Sequence, residues 1–321
     1  MKLGVLTVPL SAMGAEEAFA YLAGQGVQTV ELGAGGYTND AHLNPAALLA
    51  NEGKIEELKN LLEKYNLTIS ALSCHGNPVN PNPEIARRDH KTFENTVLLA
   101  EKLGVDTIVT FSGCPGGSPA DKTPNWVTCA WPTDFADILH YQWEEVLVPY
   151  WKKAAAFANS HNIYKIALEL HPGFCVYNPE TMLKLRAAVG ETMGANFDPS
   201  HLFWQGIDPV AAIGALKGAI YHFHAKDTRI DEPNTRQNGV LDTKSLAELG
   251  SRSWIFRTVG YGHGYEAWND IISALKLSGY DGAVSIEHED GLMSPKEGLE
   301  KAIAFLKNVL IYEGADQMWW T

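Results

Sequence analysis

Between residues 165 and 290 lie four short apolar runs that each close on an acid or an imidazole: KIALELHPG (165–173), MGANFDPSH (193–201), AIYHFHAKD (219–227) and AVSIEHED (283–290). The closing residues are Glu169, Asp198, His224 and Glu287. Each run is followed by a loop and then by a helical pattern. Short apolar runs of this kind read as buried strands, and their alternation with helices predicts a parallel sheet. Working outward, the same unit recurs along the chain. Strands are expected at Lys2–Thr7, Thr29–Gly33, Thr68–His75, Thr107–Gly113, Lys165–Leu170, Met193–Asp198, Ala219–Lys226 and Ala283–Glu287. Helices are expected over Ala15–Gly26, Asn44–Tyr65 and Ala86–Gly104, then in a segment running through Asn162. Four more follow: one from Pro179, then Asp208–Lys217, Tyr265–Ser278 and Ser294–Ile311. Eight strands, each followed by a helix, predict an α/β fold made of a single (β/α)8 barrel over 1–321. The first turn, LTVPLSAMG, lacks GxGxxG, which counts against a dinucleotide-binding sheet.

The chain is 45% hydrophobic and 20% charged, with a formal net charge of −13. That acidity disfavours nucleic acid and anionic membranes as partners. No apolar run approaches the ~18 residues of a spanning helix. Met1 leads straight into a strand pattern rather than a signal peptide, so a cytoplasmic protein is expected. Cys74, Cys114, Cys129 and Cys175 form no CxxC pair and read as reduced, partly buried thiols.

In a (β/α)8 barrel all strand C-termini open onto one face, where active sites form. Strands five to eight are neighbours there, so Glu169, Asp198, His224 and Glu287 can converge. Each alone has an ordinary structural reading: a strand-end glutamate can hold an amide, Asp198 can begin a turn at Pro199, and His224 can be a satisfied core histidine. Together they make a hard divalent-cation site, in which the single imidazole favours Mn²⁺, Co²⁺ or Zn²⁺ beside Mg²⁺. One divalent ion is therefore expected, with Mn²⁺ first among the candidates. Two long segments leave the same face: Cys114–Asp137, with Trp126 and Trp131, and Asp227–Gly264, with Arg229, Arg236, Arg252, Trp254 and Arg257. Long loops at this position line or cover a site. His75, His140, His201 and His263 lie in or near segments leaving this face; His263 sits between glycines in YGHGYE. His288, next to Glu287 in a strand, is expected to face the other way.

The phrases ISALSCHGNP, NFDPSH, HFHAKD and RTVGYGHG…SIEHED resemble the xylose-isomerase-like superfamily of TIM barrels, in the style of bacterial sugar phosphate isomerase/epimerase proteins. The resemblance runs from Lys2 to about Leu310. It implies that Glu169, Asp198, His224 and Glu287 hold one divalent metal and that Glu169 and Glu287 form the acid–base pair. It also implies that His201 contacts a substrate oxygen and that His75 lies in the pocket. Catalytic roles are thus expected for Glu169, Glu287 and His201, and substrate binding for His75, His140, Arg229 and His263. The stretch HPGFCVY lacks the sugar-binding carboxylate of the ketose 3-epimerases, and Arg229 matches their arginine only with a small shift. The expected reaction removes a C–H proton beside a carbonyl of a sugar or keto sugar, giving an enediolate.

One alternative is a lyase resembling the large subunit of bacterial C-glycoside deglycosidases. These act on 3-oxo-glycosides and need a small β-sandwich partner chain. A more distant one is an endonuclease IV-like DNA-repair nuclease. Its three zinc ions require more histidines than this chain supplies: the fourth strand ends in Ser112–Gly113. A non-catalytic sugar-binding barrel is the fourth reading, and a homo-oligomer is compatible with all of them.

Overall fold

The structure, a computed structural model, describes residues 1–314, 317, 318 and 320. Residues 315, 316, 319 and 321 of the expected 1–321 span lie outside the described residues. The strands are β1 (Lys2–Leu6), β2 (Thr29–Gly33), β3 (Thr68–Ser73), β4 (Thr107–Thr110), β5 (Lys165–Glu169), β6 (Met193–Phe197), β7 (Ile220–Ala225), β8 (Asp227–Ile230), β9 (Trp254–Arg257) and β10 (Ala283–Ile286). Strands β1 to β7 and β10 form a closed barrel in which each pairs with the next, and β10 pairs with both β7 and β1. All eight pairings are parallel. This is the expected (β/α)8 barrel.

The period-2 alternation of a strand decides what faces the barrel axis. In β7, Phe223 faces the helices and stacks on Phe197 of β6 at 5.8 Å, while His222 and His224 turn inward. Small residues, Ala71, Val109 and Ala167, form an apolar cluster of their own, apart from the main core. The main core lies against the helices and holds the fully buried indoles of Trp151 and Trp268. Trp151 Nε1 donates to the Ser112 carbonyl at 2.9 Å, so this indole is buried without an orphaned donor.

Four expectations change. The stretch 44–65 is two helices, Pro45–Leu49 and Glu52–Lys64, because Asn51 breaks it and caps the second, accepting from Gly53 N at 3.0 Å. The next helix starts at Pro83 rather than Ala86, with Asn82 as its cap. The loop after β4 gives way to a helix at Asp134–His140 and a π-helical turn at Tyr141–Leu147. In that turn the Gln142 amide donates to the carbonyls of Pro115, Gly116 and Asn125, which pins the loop. Finally, the expected loop 227–264 is structured: β8 and β9 pair antiparallel, from Asp227↔Arg257 to Ile230↔Trp254, around a helix at Glu232–Asn238. No helix among the described residues is long and apolar enough to cross a membrane.

Candidate metal centre

Glu169 is the last residue of β5, Asp198 follows β6, His224 lies on β7 and Glu287 follows β10. One ligand atom from each of the four lies within 4.8 Å of the others. The DPSH sequence explains how Asp198 is aimed. Pro199 opens the short helix Pro199–Phe203, and Asp198 Oδ1 caps it by accepting from Ser200 N at 2.8 Å. Its other oxygen, Oδ2, accepts no hydrogen bond and faces the cluster. His224 is aimed from behind. Its Nε2 lies 2.9 and 3.0 Å from the two carboxylate oxygens of Glu31. Glu31 is itself held by the hydroxyls of Ser73 and Ser285. His224 Nδ1 is left without a hydrogen bond, 3.0 Å from Glu287 Oε2 and 3.3 Å from Glu169 Oε2. A histidine whose far nitrogen donates to a carboxylate, with its near nitrogen facing oxygen ligands, is the usual support of a metal-binding imidazole. These two orphaned atoms, with two further carboxylates, fit a divalent cation.

The cluster also contains a cation of its own. Lys226, two residues after His224, is fully buried; its Nζ lies 2.8 Å from Glu287 Oε2, 2.9 Å from Glu289 Oε2 and 3.2 Å from Asp198 Oδ2. Burial alone would push its pKa down, but these carboxylates hold it well above the ordinary lysine value. Burial likewise opposes charge on His224, yet Glu31 and Glu287 raise its pKa well above the usual histidine range. Glu31 shows the converse: burial raises it, and His224, His222 and the Ser73 hydroxyl bring it down to about 2. Asp198 is raised by burial. The carboxylates of Glu31, Glu169, Asp198 and Glu287 thus share Lys226 and the His224 imidazole. A buried group of carboxylates with so few cations gains from an added positive ion.

Two further sets of donor atoms converge, Glu31/His222/His224 and Glu169/His171/His201. Each borrows a residue from the first set, and hydrogen bonds already tie up several donors. His222 Nδ1 lies 3.1 Å from Asn196 Oδ1 and its Nε2 lies 3.2 Å from Ser70 Oγ; burial lowers its pKa to about 4.

A cavity of about 170 Å³ opens onto the cluster, bordered by Tyr37, His75, Phe111, His171, Lys226 and Glu287 among others. His75 Nε2 lies 2.9 Å from Glu169 Oε2, so His75 is in the pocket. His201 Nε2 bridges Glu169 Oε1 (3.1 Å) and Asp198 Oδ2 (3.3 Å), which ties two candidate ligands together. The other three expected binders stand apart. His140 is exposed at the end of its helix. Arg229 is exposed on β8 and donates to the Gly262 carbonyl at 3.3 Å. The His263 ring is stacked on Phe203 at 3.7 Å and bonded to Asp227 Oδ1 at 2.8 Å. The YGHG turn has a different purpose from the one expected. The amides of Gly260, just before it, and of Gly262 and His263 within it wrap Asp227 Oδ2 at 2.9–3.1 Å, and a side chain at Gly262 would meet the Thr228 carbonyl at 2.3 Å. Arg252 and Arg257 pair internally, with Asp242 and Asp290, and Arg236 pairs with Glu232. His288 packs on Gly298, away from the candidate ligands, although it borders the cavity mouth.

Sequence reasoning missed Glu31, His171, Lys226 and Glu289. The signal was present in the alternation: Glu169 and His171, His224 and Lys226, and Glu287 and Glu289 are each two residues apart and share a face. Glu31, a lone charge within the apolar TVELG run, was a second signal. His171 is half-buried, and desolvation of its ring lowers its pKa. Its Nδ1 lies 2.6 Å from the Pro172 carbonyl, an acceptor, so the proton is on Nδ1 and the Nε2 lone pair is free.

The chain is 41% identical over 312 residues to the uncharacterized protein YfiH of Bacillus subtilis (strain 168), covering 97% of this chain and 99% of that one. Among solved structures it resembles the IOLI protein with a binding zinc atom (TM-score 0.67, 17% identity, 97% and 98% of the two chains). It also resembles the probable 3-DHS dehydratase AsbF, involved in petrobactin synthesis, from Bacillus anthracis (TM-score 0.64, 18% identity, 96% and 99%). A D-tagatose 3-epimerase-like protein is a third such neighbour (TM-score 0.63, 19% identity, 96% and 98%). At these identities the structural likeness speaks for the fold. The family model for the xylose isomerase-like TIM barrel matches residues 19–309, and the chain belongs to that family.

Proposed function

We propose that this protein is a divalent-metal-dependent sugar isomerase or epimerase, which removes and returns a proton on the carbon beside a carbonyl of a sugar or keto sugar. The observation that carries the reading is the convergence of His224 Nδ1 and Asp198 Oδ2, both without hydrogen bonds, with the carboxylates of Glu169 and Glu287. Glu169, Asp198, His224 and Glu287 would hold the ion, for which Mn²⁺ is the first candidate and Mg²⁺, Co²⁺ or Zn²⁺ the others. The ion would supply Lewis acidity to the substrate carbonyl, stabilising charge as the enediolate develops. Glu169 and Glu287 enter from β5 and β10, on either side of β6 and β7, so each can serve a different face of the substrate carbon. Lys226 Nζ offers a charged donor to a substrate oxygen beside them. A neighbouring zinc-binding protein and an epimerase-like one of the same fold are in keeping with this chemistry.

The test is exchange of a keto sugar's α-hydrogen with solvent deuterium on Mn²⁺-loaded protein, with metal content measured in every sample. Glu169→Gln and Glu287→Gln keep an oxygen ligand and lose the base, so each should slow exchange at least ~100-fold. Exchange at the wild-type rate in both metal-loaded variants overturns the glutamate pair.

A second reading, elimination from the same carbanion, is favoured by His171. This imidazole, whose Nε2 lone pair can accept a proton, borders the metal pocket, where it would take the α-proton and hand the same proton to the leaving oxygen. Release of a free leaving group from a keto glycoside would single out this reading. The nuclease alternative fares worse, because its ions would have to share Glu169 and His224.

A further inference from the structure

Cys114 and Cys175 are distant in sequence, and the barrel brings them together. Cys114 lies in the long segment that leaves β4, and Cys175 in the loop after β5. The two strands are neighbours, and their backbones stay joined past the strand ends: Cys175 N donates to the Gly113 carbonyl at 3.0 Å, and Val176 N donates to Ser112 Oγ at 3.0 Å. Residues held across one such hydrogen bond sit about as far apart as a disulfide spans, roughly 4.4–6.8 Å between Cα atoms. Cys114 is fixed in this position. Its amide donates to Asn77 Oδ1 at 3.1 Å, and its carbonyl accepts from Asn77 Nδ2 at 2.9 Å. Both side chains are buried, and the two thiols hydrogen-bond each other. That bond holds the Cys114 thiol below its ordinary pKa and the Cys175 thiol well above it, so the pair gives up its first proton more readily than a lone buried thiol. Cys74 provides the contrast: burial pushes its pKa up to about 12.

Two observations separate the pair from inert core cysteines. The first is access. Cys175 borders a cavity of about 320 Å³, which the exposed Cys129 borders too. The cavity gives a small neutral oxidant a path to one sulfur. The Lys184 ammonium, in its wall and 4.1 Å from the Trp143 ring centre, favours a thiolate at Cys175. The second is what the pair joins. Phe174, next to Cys175, stacks on Phe111 at 4.2 Å, and Phe111 and His171 border the metal-side cavity. A bond between the two sulfurs therefore ties together two segments that supply one wall of that cavity.

We propose that Cys114 and Cys175 are a redox pair, closed to a disulfide by a peroxide and reopened by a dithiol, and that the bond locks the β4 and β5 loops together beside the metal pocket. With hydrogen peroxide as oxidant the step balances. One sulfur, as thiolate, attacks a peroxide oxygen; the O–O bond breaks, a sulfenic acid forms, and the departing hydroxide is protonated to water. The second sulfur then attacks the first, the S–O bond breaks, the S–S bond forms, and a second water leaves. Two thiols and one peroxide give one disulfide and two waters. The sulfurs lose two electrons, and the peroxide oxygens gain them.

The test exposes the folded, full-length protein to a small excess of hydrogen peroxide and counts free thiols after denaturation. The count should fall from four to two and return to four with dithiothreitol. Peptide mapping without reduction should place the bond between Cys114 and Cys175. Cys114→Ser and Cys175→Ser should each abolish it, and Cys129→Ser should still form it. A second measurement needs no variant: hydrogen exchange followed by mass spectrometry. Residues 171–178 should exchange more slowly in the oxidised wild type, and reduction should restore the faster rate. A count that stays at four overturns the pair. So does a bond from Cys129 to Cys175 or between two chains in place of the internal one, or oxidation to sulfinic acid with no bond formed. A Cys114–Cys175 disulfide that leaves exchange at 171–178 unchanged overturns the lock. Neither measurement involves a sugar or a metal, so the result stands apart from the proposed function.

Discussion

Two chambers meet at His171, the metal-side cavity and an outer one of about 320 Å³, and they are made of different materials. The inner one is built on strand ends. Its walls are charged side chains held by other groups: Glu31 behind His224, the Ser200 backbone amide on Asp198, His75 and His201 on Glu169. The outer one is built on loops and a hairpin, with indole rings stacked on one another and leucines at the rim. Barrel strands are braced by neighbours on both sides and can fix a carboxylate to within a fraction of an ångström; loops vary freely. The inner chamber is thus positioned by the scaffold and the outer one by the insertions.

If the inner chamber is a metal site, its own ligands should dominate. His224→Ala or Asp198→Ala should lower Mn²⁺ affinity by ~100-fold or more, measured by titration under metal buffering. Full metal occupancy in either variant breaks the assignment. The carboxylate behind the imidazole comes next: Glu31→Gln should weaken Mn²⁺ by ~10–100-fold while leaving the barrel folded. An unchanged affinity would mean that Glu31 serves only the fold.

Lys226 sharpens the comparison in the opposite direction. Its ammonium competes with an ion for Asp198 and Glu287, so Lys226→Met should raise Mn²⁺ affinity by roughly tenfold while abolishing exchange of the keto sugar. Weaker binding in that variant would show that Lys226 organises the ligands rather than opposing the ion. Protons compete as well. The pKa of His224 is raised, so near neutral pH it carries a proton that metal must displace. Affinity should therefore fall as pH falls, by up to about tenfold per unit below that pKa, and binding should release a proton detectable by calorimetry in two buffers. A pH-independent affinity between pH 6 and 8 contradicts this. The smallest effect is expected from the outer chamber: Trp254→Phe should change Mn²⁺ affinity by less than about twofold, because the chambers share walls but not donors. A larger change would join them into one site.

The four candidate ligands were legible because each ends an apolar run, and strand ends of a barrel share one face. His75 was legible for the same reason. Lys226 and His171 were legible in principle, by counting two residues on from His224 and Glu169, since alternation places i and i+2 together. Nothing local distinguished His140, Arg229 and His263 from them. All three lie in segments that leave the correct face, and what removes them from the site is exposure, a carbonyl partner and a stacked Phe203. The hairpin was hidden because its strands are four residues each, separated by a helix and loop with no tight-turn signature between them.

By itself the sequence determined the period of the elements, the eight strands of the barrel and the chemical identity of the candidate ligand set, because these rest on local spacing and on residue type. Only the tertiary structure decided which side chains meet. Glu31 and His224 lie 193 positions apart and join because the barrel closes; Trp204 and Trp254 stack because β9 pairs with β8. Contacts of that kind depend on closure and on the path of loops, and a local pattern of polar and apolar residues carries no information about either.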